Sequence, residues 1–100
     1  MITAIVRFPL PQGLSSDDVK AIYEHSVPQF RGAAGLIRKY YLHGADQTGG
    51  GVYLWESREA AEMMYSEAWR QQIANRFGAA PQIEYFETPV IIDNTGTGAE

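Results

Sequence analysis

Few residues in this 100-residue chain are of types that do chemistry unaided. It carries two histidines and no cysteine. Without cysteine there is no disulfide, no thiolate metal site and no cysteine nucleophile. His25 falls off the apolar stripe of its predicted helix, in a solvated position. His43 ends a predicted strand beside Gly44, and no local spacing supplies it with further metal ligands. Glu84 and Glu87 would point to opposite faces of a regular strand, a poor arrangement for an acid–base pair. Gly49-Gly50-Gly51 lacks the Lys and Ser/Thr of a phosphate loop and reads as hairpin and bulge flexibility. No serine sits in a nucleophile elbow.

What remains is aromatic and cationic: Arg7, Arg38, Tyr40, Trp55, Tyr65 and Trp69. Such side chains hold flat apolar molecules, and a buried cation or hydroxyl stabilises negative charge that develops on one. Arg38 and Tyr40 share a face of one predicted strand, and Tyr65 and Trp69 lie one helical turn apart. The expected substrate-binding set is therefore Arg38, Tyr40, Trp55, Tyr65 and Trp69, with no catalytic residue assigned and no metal. Packing is the competing use. Trp55 and Trp69 also suit core or dimer contacts, and Arg38 suits a cross-strand pair with Glu84 or Glu87. Strand register is not set by sequence, so the pocket-facing side of Gly35–His43 stays open.

The elements that would position these residues follow from periodicity and punctuation. Ile2–Phe8 is a β-branched strand ended by Pro9 and Pro11. Ser15 and Asp18 have capping-box spacing and open a helix with Val19, Ile22, Tyr23, Ser26 and Phe30 on one face. Pro28 weakens its last turn, and Gly32 and Gly35 break the chain. Gly35–His43 is a second strand, joined by a turn over residues 44–49 to a third, Val52–Glu56. Ser57 caps a second helix that runs to Phe77, with a bend or break expected within Glu67–Gln72. Gly78 is its C-cap and Pro81 stops it. Ile83–Ile92 forms the last strand, interrupted at Pro89.

The order β-α-β-β-α-β predicts a ferredoxin-like α+β fold, an antiparallel four-stranded sheet with both helices on one face. Residues 1–94 are expected to form a single domain and residues 95–100 a flexible tail. Large apolar side chains lie on both sides of every strand, most plainly in Val52-Tyr53-Leu54-Trp55, which does not alternate. A bare face of that kind exceeds the few hundred Å² that monomers usually tolerate. Burying about 1,000 Å² gives roughly 25 kcal/mol gross, at about 25 cal/mol per Å². Association costs reduce this but do not reverse its sign. A homodimer closed through the sheet face is the expectation.

Composition excludes other partners. A formal charge of −4 opposes binding to phosphate backbones. RNA-recognition domains share the element order, but Gly51-Val52-Tyr53-Leu54-Trp55 lacks their basic and aromatic motif. No apolar run approaches the roughly 20 residues of a membrane span. Met1–Phe8 reads as a strand and not as a signal peptide, so a cytoplasmic location is expected.

Three segments carry a family resemblance: Gly35-Leu36-Ile37-Arg38-Lys39-Tyr40-Tyr41-Leu42, Gly50-Gly51-Val52-Tyr53-Leu54-Trp55 and Glu84-Tyr85-Phe86-Glu87-Thr88-Pro89-Val90. In these the chain resembles small dimeric α+β-barrel proteins, closest to the YdhR-type monooxygenases and more loosely to antibiotic-biosynthesis monooxygenases. The resemblance runs from Met1 to about Asn94. It implies two sheets facing one another as a barrel, with a pocket between sheet and helices in each protomer. Members with known activity are cofactor-free oxygenases of aromatic polyketides, or oxygenases that degrade haem. The haem-degrading members use an asparagine in the first strand and a histidine on the second helix. Ile2–Phe8 contains no Asn and Ser57–Phe77 no His, so no catalytic residue carries over. The resemblance implies a small monooxygenase using dioxygen, without a cofactor, on a small aromatic or apolar substrate. Its alternative is a non-catalytic ligand-binding or stress-related dimeric module, since the fold hosts both.

Overall fold

A computed structural model describes residues 1–95; of the expected tail, residues 96–100 lie outside the described residues. Four strands form one antiparallel sheet in the order β2-β3-β1-β4. They are β1 (Ile2–Pro9), β2 (Leu36–His43), β3 (Thr48–Trp55) and β4 (Gln82–Glu87). Three helices accompany them: α1 (Ser16–Arg31), α2 (Arg58–Met64) and α3 (Glu67–Phe77). This is the ferredoxin-like α+β arrangement, with the expected second helix divided in two.

Each local signal has a visible physical cause. At the start of α1, the Ser15 hydroxyl accepts from Asp18 N–H while the Asp18 carboxylate accepts from Ser15 N–H. Pro28 sits inside α1 without ending it. It removes the hydrogen bond to the Glu24 carbonyl, but both residues are exposed and water reaches that group. The break between α2 and α3 comes at Tyr65–Ser66, earlier than the expected Glu67–Gln72. There the Ser66 hydroxyl caps α3 by accepting from Trp69 N–H, and Arg70 Nε donates to the freed Tyr65 carbonyl. Gly78 ends α3 at φ +89°.

Two strand boundaries differ from expectation by more than one residue. The glycine run belongs to β3, which begins at Thr48 instead of Val52. Gly50 has φ +132°, and a Cβ there would lie 1.9 Å from the Val6 carbonyl oxygen, so no other residue fits. β4 stops at Glu87, short of the expected Ile92. The segment after it reaches across to β2 on the far edge, where Asp93 pairs with Arg38 at 3.1 Å.

The helices bury one face of the sheet. Ile2, Ala4, Val6 and Phe8 of β1 and Tyr53 and Trp55 of β3 join Val19, Phe30, Tyr65 and Trp69 in the core. On the opposite face Ile5, Val52 and Leu54 are half-buried. Tyr40 and Phe86 on that face are 55% and 46% exposed. The strands are thus apolar on both sides, as their sequence requires.

Candidate functional site

One cavity lies between the buried sheet face, α1 and α3, with a volume of about 110 Å³. Rings form much of its wall: Phe8, Tyr41 and Tyr53 from the sheet, Tyr23 and Phe30 from α1, Trp69 and Phe77 from α3. Gln29, Gln72 and Arg76 also line it and are exposed, which places the mouth between the two helices. The room arises from small residues in the sheet. Gly51 pairs with Tyr41 and with Val6, and a Cβ on it would press on the Lys39 and Tyr53 side chains at 3.2 and 3.3 Å. Gly49 similarly leaves space for the Tyr23 hydroxyl and Leu10.

The rings are fixed by packing and by hydrogen bonds. Phe8 stacks on Phe77 with centroids 4.5 Å apart, and Tyr53 meets Phe30 edge-on at 5.6 Å. Tyr23 donates to the Leu42 carbonyl and accepts from Gly50 N–H, so its hydroxyl is fully engaged. Burial pushes its pKa up. Tyr41 and Ser26 share a hydrogen bond of 2.8 Å, and Ser26 also donates to the Tyr23 carbonyl. Serine has one proton, so Tyr41 is the donor in that pair.

Lys39 projects into the same site. Its Nζ lies 3.3 Å from the centroid of Phe30, 3.8 Å from Tyr41 and 4.5 Å from Tyr53. Burial pushes the amine down to about 7. Tyr53 is buried too, and burial drives its hydroxyl far above the ordinary tyrosine range.

Of the sequence-predicted residues, Trp69 lines the cavity. Trp55 and Tyr65 are in the core behind it, joined by a hydrogen bond of 3.0 Å, with Tyr65 5.1 Å from Trp69. Arg38 and Tyr40 are not brought to the cavity. They lie on the helix-free face, where Arg38 bonds Tyr40 at 3.3 Å and Asp93. The expected partners Glu84 and Glu87 are not used by Arg38; Glu84 pairs with Arg7 instead. A bulge explains the exchange. The register shifts between Leu36, opposite Trp55, and Arg38, opposite Leu54, so the alternation is inverted beyond Ile37. Lys39 and Tyr41 thereby face inward. The sequence offered no marker for that extra residue, although the aromatic run Tyr40-Tyr41 flagged the strand. His25 is exposed, and His43 is exposed and bonded to Gln47. No cluster of three His, Asp or Glu side chains suited to a metal occurs among the described residues. No described helix is long and apolar enough to cross a membrane.

No family model and no curated protein matches the chain by sequence. Solved structures do match by fold. A monooxygenase from the gene ActVA-Orf6 of Streptomyces coelicolor, in complex with nanaomycin D, superposes with a TM-score of 0.69 at 17% identity, covering 93% of this chain and 91% of its own. NE2512 of Nitrosomonas europaea, a protein of unknown function, gives 0.72 at 15% identity, covering 95% of each chain. SnoaB, a cofactor-independent oxygenase from Streptomyces nogalater, gives 0.61 at 14% identity, covering 93% and 97%. At these identities the likeness is one of fold, the fold that antibiotic-biosynthesis monooxygenases share.

Proposed function

We propose that this chain is a small cofactor-independent monooxygenase, a YdhR-type member of its fold group, acting on a small aromatic substrate held between sheet and helices. The observation that carries the reading is the ring-lined cavity of about 110 Å³. It is roughly three-quarters of the volume, about 150 Å³, of an engineered cavity that holds benzene, and its mouth leaves room for the remainder of a larger ligand. With no flavin or metal in the scheme, the substrate supplies the electrons. A phenol becomes a quinone: the ring loses two hydrogens and gains one oxygen atom, and the second oxygen leaves as water. The protein's part is to exclude water, orient the ring and stabilise the charge that appears when the substrate ionises. Assembly as a sheet-to-sheet homodimer belongs to the same proposal, supported by exposed Tyr40 and Phe86 on the helix-free face. Cofactor-independent activity in SnoaB and a bound ligand in the ActVA-Orf6 monooxygenase lend support.

The test supplies 1-naphthol and isotopically labelled dioxygen to protein stripped of metals. Expected are oxygen uptake and one labelled atom in the naphthoquinone product. Binding of 1-naphthol without oxygen uptake would instead make the chain a non-catalytic ligand-binding module, and absence of binding would remove the pocket from consideration.

A further inference from the structure

We infer that the cavity selects an aromatic anion, with the charged oxygen of the ligand seated at Lys39 and Tyr53. This rests on reading the cavity as a ligand site and adds the charge and the residues that recognise it. Three observations carry it. First, among the described residues no carboxylate lines the cavity, and none of their ion pairs involves Lys39. The ammonium lies against the faces of Phe30, Tyr41 and Tyr53, and its three N–H donors meet no oxygen of a described residue.

Second, a proton inventory of the cavity wall leaves Lys39, Tyr53 and the indole N–H of Trp69 as the interior donors with no hydrogen-bond partner among the described residues; Tyr85, whose buried hydroxyl is also unpartnered, is not part of that wall. Tyr23, Ser26 and Tyr41 donate to Leu42, Tyr23 and Ser26 respectively. Trp69 lines the cavity with its ring, and its indole N–H is a further donor beside Lys39 and Tyr53. The Tyr53 hydroxyl makes no hydrogen bond to another described residue, and its ring lies 4.5 Å from Lys39 Nζ. Third, among the described residues the one other cation on the cavity wall is Arg76, at the exposed mouth, so the field along the entry favours an anion although the whole chain carries −4. Burial pushes the Lys39 amine down because nothing of opposite charge compensates it. An anionic oxygen supplies that compensation and restores the charged form.

The experiment compares 4-nitrophenol with 4-nitroanisole, its methyl ether, which keeps the nitro-substituted ring, is one methyl group larger at the oxygen and cannot ionise. In the wild type the phenolate should bind at least about tenfold more tightly than the ether, the worth of one charge-assisted hydrogen bond. The visible phenolate band should also appear at lower pH in the bound ligand than in the free one. Lys39→Met should abolish both effects while still binding the ether, and Lys39→Arg should retain part of the preference. Equal affinity of the wild type for both probes overturns the inference and leaves the ligand pocket standing. Binding of neither probe removes both. An unchanged phenolate preference in Lys39→Met would also overturn it.

Discussion

The indole N–H of Trp55 donates to the Tyr65 hydroxyl across 3.0 Å, inside the core and out of reach of solvent. The two residues come from β3 and from the residue that ends α2, and their rings meet at 85°. This bond ties the interrupted helix to the central sheet directly behind Trp69. Tyr65→Phe keeps the packing and strands the indole donor, which costs about 1–3 kcal/mol. Denaturant unfolding should show a lower midpoint with an unchanged slope. An unchanged midpoint would mean that the bond contributes nothing net.

A second expectation concerns Lys39 and pH. Its amine lies near 7 when folded, against 10.5 for an ordinary lysine. Between those values the unfolded chain holds a proton that the folded chain releases, so stability rises with pH across this window. The cost of burying the amine is full at and below about 7 and vanishes above the ordinary value. Three ring faces offset part of it. Lys39→Met should therefore gain about 1–3 kcal/mol at neutral pH, shrinking towards zero near pH 10. A stability difference that is constant with pH would mean the amine titrates normally.

These two sites differ in how far the sequence announced them. The buried positions of β1 alternate cleanly from Ile2 to Phe8, so that face was legible from side-chain period alone. The Ser15–Asp18 capping box was legible as well, because its hydrogen bonds are local. The inward face of β2 was not. Parity counted from Leu36 assigns Arg38 and Tyr40 to the interior, and one bulged residue reverses it. A bulge depends on the register against β3, a tertiary property. The glycine run misled for a related reason. Gly49 and Gly50 are needed by Leu10, Tyr23 and Val6, all distant in sequence, and not by the hairpin turn. Thus Trp69, placed by helical period, reached the cavity, whereas Arg38 and Tyr40, chosen as a cation and a hydroxyl sharing one face of a strand whose pocket side the sequence left open, did not.

The exposed apolar side chains of the helix-free face lead to a third expectation. Phe86 and Tyr40 stand on opposite edge strands, and Phe86 is 46% exposed in the single chain. In a two-fold dimer each substitution acts twice, so one charge counts double. Phe86→Asp should weaken association at least about a hundredfold, as loss of a desolvated aromatic anchor does. Sedimentation should find the wild type as dimers at micromolar concentration and the variant as protomers with an unchanged helical spectrum. A monomeric wild type would remove the facing-sheet barrel from the proposal.

The last expectation separates the two faces of the sheet by activity. Trp69 lines the cavity from α3, while Tyr40 sits on the other side of β2. Trp69→Phe keeps an aromatic wall but removes ring area from the ligand contact, and should raise the Kd of 1-naphthol about tenfold. Tyr40→Phe deletes only a hydroxyl whose recorded partner is Arg38 on the same strand, so binding and turnover should stay within about twofold. Measuring Kd by tryptophan quenching and kcat by oxygen uptake keeps affinity and chemistry apart. The opposite pattern, with Tyr40→Phe abolishing turnover and Trp69→Phe leaving it intact, would move the reacting ring to the helix-free face. Substrate would then lie between two protomers, and Lys39 would have no part in recognising it.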